Sequence, residues 1–188
     1  MSDADLVEAA TTLVREWLEA SGLEWDLGAR EREFVVTLPG EKKLKTVVSL
    51  VVGDRTLKAM AFVVRNPDEN HEDVYRLLLQ RNLRLPGVAY GIDSSGDVYL
   101  TGRLPLAGLD TAGLDVLLGA MLEASDGIFN DVLARGFLSS MKKEWHWRVT
   151  HDESTRNLDA FRHLLENGRD DEAKADDEAT AKDPTTEL

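Results

Sequence analysis

The sequence predicts an α+β protein: a helix, a three-stranded antiparallel meander, a second helix, a β-hairpin and a long helix, followed by a C-terminal helix. Three observations carry that prediction. The spacing of apolar residues switches between the helical and the alternating period in this order. Clusters of Gly, Pro, Asn and Asp fall at each switch. One apolar run, from Leu114 to Leu133, is long enough at about 1.5 Å per residue to cross a whole sheet.

The first helix rests on Leu6, Ala10, Leu13 and Trp17, flanked by Val7, Val14 and Leu18, which together form one broad apolar stripe. Ser2 or Asp3 can cap it and Gly22 can stop it. Phe34, Val36 and Leu38 then alternate with Glu33, Val35 and Thr37, and Pro39-Gly40 supplies the exit turn. The alternation resumes through Leu44, Thr46, Val48, Leu50 and Val52. Gly53-Asp54 suits a hairpin turn into the run from Leu57 to Val64.

Asn66-Pro67-Asp68 ends that run, and Val74, Leu77, Leu78 and Arg81 give a helix between His71 and Arg84. Leu85-Pro86-Gly87 breaks the helix. Val88, Tyr90 and Ile92 form one arm of a hairpin, Asp93 to Gly96 its loop, and Val98 and Leu100 its return. Asp110 or Thr111 caps the long helix, which Gly136 ends. From Phe137 to Arg148 the period is ambiguous. Leu138 and Met141 suit a helix, whereas Trp145 and Trp147, two apart, share a side only in a strand. Leu158, Phe161, Leu164 and Leu165 mark a short amphipathic helix.

These limits divide the chain into a domain over 1–149, a C-terminal amphipathic helix over 150–166 and an acidic disordered tail over 167–188. The tail holds eight acidic and three basic residues, −5 of a net charge of −13 over 188 residues. A chain with 35 acidic and 22 basic residues is repelled by nucleic acid and by anionic membranes, so neither is expected as a partner. No apolar stretch has the length of a membrane span, and MSDADLVEAA opens with acids where a signal peptide is positive. The expected location is the cytoplasm, which the absence of cysteine also fits.

Chemistry-bearing motifs are few. The fourteen glycines form no phosphate cradle, and there is no GxSxG elbow. His71, His146, His151 and His163 lack the i, i+4 pairing that seats a metal ion, so neither metal nor cofactor is expected. Lys42, Lys43 and Lys45 cluster at a turn, and Lys142, Lys143 and Arg148 surround the two tryptophans. Both groups read as solvated charges. Trp145 and Trp147, with Arg148 beside them, either pin the chain after the long helix or anchor a partner.

The segment from Val74 to Pro105, VYRLLLQRNLRLPGVAYGIDSSGDVYLTGRLP, resembles the diagnostic stretch of the bacterial YbjN family, including its actinobacterial-type members. The resemblance extends over about 6–149, to the Glu144-Trp145-His146-Trp147-Arg148 element. It implies a fold similar to that of type III secretion chaperones and a description as sensory transduction regulator. No reaction, cofactor or catalytic residue comes with it. Positions matching the family pattern are Asn82, Asp93, Gly96, Gly102 and Arg103, and their physical reading is mainly structural. Gly96 supplies a turn, Asp93 accepts loop amides, and Asn82 ends its helix by bonding free carbonyls.

The function expected from these readings is a non-enzymatic, chaperone-like or regulatory protein. It would bind a protein or peptide client on exposed sheet or long-helix surface, by strand edge or by groove. A homodimer, as the resemblance to the acidic secretion chaperones implies, is a further partner. The alternative is a lipid or metabolite cavity between the sheet and the long helix. An enzyme would need carboxylates clustered with His or Asn in one cleft.

Overall fold

A computed structural model describes residues 2–166, so the acidic segment over 167–188 lies outside the described residues. Helix α1 spans Asp3–Ser21. Ser2 and Asp5 close a reciprocal capping box, with the Asp5 N–H donating to Ser2 Oγ at 3.2 Å and the Ser2 N–H to Asp5 Oδ2 at 2.8 Å. Gly22, at φ 70°, ends the helix in the left-handed conformation. Val7, Ala10, Val14 and Leu18 form its buried stripe.

The strands are β1 (Glu24–Leu27), β2 (Glu33–Pro39), β3 (Lys45–Val52), β4 (Thr56–Val64), β5 (Val88–Ile92) and β6 (Val98–Pro105). They form one antiparallel sheet in the order β1-β2-β3-β4-β6-β5. The meander thus has one strand more than periodicity indicates. Strand β1 has only four residues, and of its two inward positions Trp25 rests on the Phe34 ring at 5.9 Å while Leu27 stays 63% exposed. So little burial leaves a weak alternating signal.

Helix α2 (His71–Asn82) and the long helix α3 (Thr111–Gly136) join α1 on one face of the sheet. Asp110 caps α3 by accepting the Gly113 N–H at 2.8 Å. Inward strand residues Phe34, Val36, Val48, Leu50, Leu57 and Leu100 are fully buried in one core with Val14 and Leu18 of α1 and Leu114, Met121 and Ile128 of α3. Ala59, Ala61 and Gly102 keep the inward side of β4 and β6 low, which lets α3 approach closely.

Among the described residues two polar side chains lie fully inside, and they bond to each other: Thr46 Oγ1 donates to Ser125 Oγ at 3.0 Å. Replacing Thr46 with Val strands the Ser125 hydroxyl, at an expected cost of about 1–2 kcal/mol. In chemical denaturation, T46V/S125A should lose clearly less than the two single losses added together. Simple additivity would show that the pair does not act as a unit.

After α3 the chain turns at Phe137 into α4 (Leu138–Thr150). The turn is held from the far side. The Gly136 carbonyl accepts the N–H groups of Asp68 (2.8 Å) and Glu69 (3.2 Å). Glu69 accepts the Ser139 N–H at 2.6 Å, and the Arg65 guanidinium lies 4.5 Å over the Phe137 ring. Arg65 and Ser140 donate to Asp68 and hold its carboxyl at about 2. The ambiguous stretch is therefore helical. A short 3-10 turn (Arg156–Phe161) runs directly into α5 (Arg162–Glu166), and Leu158, Phe161 and Leu165 form a second small core with Met141.

Candidate functional site

The helices cover one face of the sheet, and the other carries the candidate site. Along β4, Leu57, Ala59, Ala61 and Val63 point inward, so Lys58, Met60 and Phe62 point outward. Phe62 packs edge-on against Tyr99 of β6 at 5.6 Å, and Met60 lies opposite Thr101 and Ser49. Val47 (43% exposed), Met60 (41%) and Phe62 (44%) leave much of their apolar surface in water. These outward positions would be polar in a face evolved only for solvation.

The border of this patch is charged. Lys43 donates its ammonium to the Phe62 carbonyl and lies over the rings of Phe62 (5.7 Å) and Phe129 (5.9 Å). Burial pushes its pKa down to about 8. Its loop is fastened to α3, because Asp126 Oδ1 accepts the N–H groups of Lys42 and Lys43 at 2.8 Å each. Lys58 stands directly opposite Arg103 on β6. At the other side Glu33 accepts from the Ser49 hydroxyl and the Arg30 N–H, which hold its carboxyl below the usual range.

The two edges of the sheet are protected, each differently. Asn82, the last residue of α2, donates to the Tyr90 carbonyl at 3.1 Å and accepts the Tyr90 N–H at 2.8 Å. Those are backbone groups of β5 that point away from β6. Asn82 therefore occupies the free edge of β5 rather than bonding its own helix carbonyls, the role read from sequence. The same Tyr90 sends its hydroxyl into the core to the Ala124 carbonyl at 2.7 Å, and burial pushes its pKa up to about 12. At the opposite edge β1 is short and bears Glu24 and Asp26. Strand addition is thus opposed at both edges, and on the open face the sheet presents side chains rather than free backbone.

The other family-pattern positions are structural in different ways. Asp93 Oδ1 accepts the N–H groups of Ser95 (2.8 Å) and Asp97 (3.0 Å), and Gly96 has φ 84° in the same turn. Gly102 faces α3. Arg103 is exposed on the open face. The tryptophans diverge on α4: Trp145 packs into the second small core, while Trp147 is 53% exposed and stacks on His151 at 4.6 Å. Arg148 donates to Glu144 (2.8 Å) and to the Ser154 carbonyl (2.9 Å), and so braces the end of α4. The structure does not bring this element together with the open sheet face into one site. Among the described residues, no group of His, Asp or Glu is placed to hold a metal ion, and no helix is long and apolar enough to cross a membrane.

An antiparallel sheet with helices on one face, an open apolar patch on the other and blunted edges defines the class: a mixed α+β domain with a solvent-facing sheet surface. The chain belongs to the YbjN family, whose model, described as "Putative bacterial sensory transduction regulator", matches residues 11–134. The Trp145–Arg148 element lies beyond that match. An uncharacterised protein of Mycobacterium leprae is 45% identical over 173 residues, covering 90% of this chain and 94% of that one. Among solved structures, YbjN from E. coli aligns with a TM-score of 0.51 and 14% identity, over 66% of this chain and 91% of that one. A chain of the ExsC-ExsE complex aligns with a TM-score of 0.50 and 21% identity, over 66% of this chain and 93% of its own. The Yersinia pestis type III secretion chaperone SycH overlays at 0.45 and 18% identity, over 62% and 96%. At these identities the likeness is one of fold.

Proposed function

We propose that this protein is a non-enzymatic adaptor of the cytoplasm, chaperone-like or regulatory, that binds a polypeptide on the open face of its sheet. The observation that carries the reading is the run of Val47, Met60 and Phe62, side by side and each more than two-fifths exposed. Both sheet edges are blunted, so a client would meet side chains rather than free backbone. A chain of similar fold occurs in the ExsC-ExsE complex, which supports a protein partner here. Exposed Trp147 on α4 offers a second contact for a client long enough to reach it.

Covering what remains exposed of the three side chains would contribute about 1 kcal/mol each. That is well short of the roughly 8 kcal/mol of a micromolar complex, so further contacts must take part. A photo-crosslinking amino acid placed at position 62 in the native cell tests the reading. Position 62 is expected to capture a defined polypeptide, and position 116, on the exposed side of α3, is expected not to. Equal or absent capture at both positions would sink the proposal.

A further inference from the structure

The charges beside the patch specify the client more closely. Lys58 and Arg103 are direct cross-strand neighbours on the open face. Like charges in that arrangement repel, and a carboxylate between them would relieve the repulsion. Among the described residues neither cation has a salt-bridge partner, although the chain carries 35 acidic residues against 22 basic ones. On the β3 side Lys58 faces Val51, and beyond that Glu33 is already engaged by Ser49 and Arg30. On the β5 side Arg103 is next to a shallow recess formed by Gly87, Val88, Ala89, Thr101 and Gly102, where small groups leave its guanidinium open. Arg offers two parallel donors suited to a carboxylate.

The register adds a spacing. Met60 and Thr101 form the adjacent cross-strand pair, two residues along each strand from Lys58 and Arg103. At about 3.4 Å per residue the apolar anchor point and the paired cations are roughly 7 Å apart. Residues i and i+2 of an extended segment, which share one side, have the same separation.

We propose that the open face selects an extended polypeptide segment bearing an apolar side chain and a carboxylate at i and i+2, the apolar group on Met60 and Phe62 and the carboxylate between Lys58 and Arg103. The proposal rests on the sheet-face reading above and adds the charge and spacing of the client. It holds for a chain of net charge −13, because at physiological salt fields are screened beyond about 8 Å and only local charge is read.

The test uses fluorescence anisotropy of labelled synthetic peptides with the full-length protein at physiological salt. One peptide repeats Leu-Thr-Glu-Thr, a second repeats Leu-Thr-Lys-Thr, and a third repeats Leu-Glu-Thr-Thr, which places the carboxylate at i+1. The first is expected to bind about ten-fold more tightly than either of the others. K58E/R103E should reverse the preference between the Glu and Lys peptides, and F62S should weaken all binding. Circular dichroism confirms that the variants are folded. If all three peptides bind equally and F62S weakens them, the charge and spacing inference is overturned while the sheet-face reading stands. If none binds, or F62S binds like wild type, both are overturned.

Discussion

Replacing Gly102 with valine is expected to cost about 3 kcal/mol of folding stability, one of the larger losses a single substitution can cause in this protein. A Cβ at this position would lie 2.6 Å from Leu117 Cδ1 of α3, 3.1 Å from Val88 Cγ1 and 3.4 Å from the Gly87 carbonyl. Leu117 alone could rotate away. Val88 is held in β5 and the Gly87 carbonyl is backbone, so the two valine methyls would have to push α3 off the sheet. For a chain of this size the melting temperature should fall by roughly 6–12 °C.

Gly91 provides the control. It sits in neighbouring β5, and a Cβ there would have nothing within 4 Å. Gly91→Val is expected to be neutral or slightly stabilising, because a β-branched residue suits an exposed strand position and restricts the unfolded chain. Thermal unfolding of the two variants side by side decides the matter. Similar melting temperatures would mean that α3 does not need the glycine to sit where it does.

The contrast between the two glycines also shows where sequence reasoning reaches and where it stops. Within β4 the apolar run from Leu57 to Val64 marks a strand by its local pattern, but Met60 and Phe62 are as apolar as Ala59 and Ala61, so the run does not tell which face is uncovered. Helices α1, α2 and α3 are legible for the same reason: their buried stripes repeat at local spacing. Strand β1 was hidden because four residues with one half-buried ring hold too little periodicity. Trp145 and Trp147 were ambiguous because burial acts on only one of them.

Everything that depends on pairing between distant residues was out of reach. That β6 inserts beside β4, and so sets Lys58 against Arg103, follows from sheet order rather than from any local pattern. Asn82 reads locally as a helix end, and only the fold brings its amide to Tyr90. Edge protection therefore links the fold to the proposed function. With β5 closed to strand pairing, an exposed apolar face can be maintained without the chain adding strands from its own copies.

That link makes Asn82→Ala expected to do two things at once. First, it removes both partners of the Tyr90 backbone, at an expected cost of about 2 kcal/mol and a melting temperature lower by roughly 4–8 °C. Asn82→Asp should not restore the loss, because a carboxylate accepts the Tyr90 N–H but faces the Tyr90 carbonyl without a proton to donate. Second, it frees the edge of β5, so sedimentation velocity should show association that grows with concentration beyond the wild-type state. Adding Ile92→Lys, at an exposed position of the same edge strand, should leave the stability loss and abolish the added association, since charge on an edge strand opposes strand pairing. If Asn82→Ala melts and sediments like wild type, Asn82 is not what closes the edge. If it is destabilised without associating, the edge is closed by something more than one amide, and strand addition remains unavailable to a client by a different route.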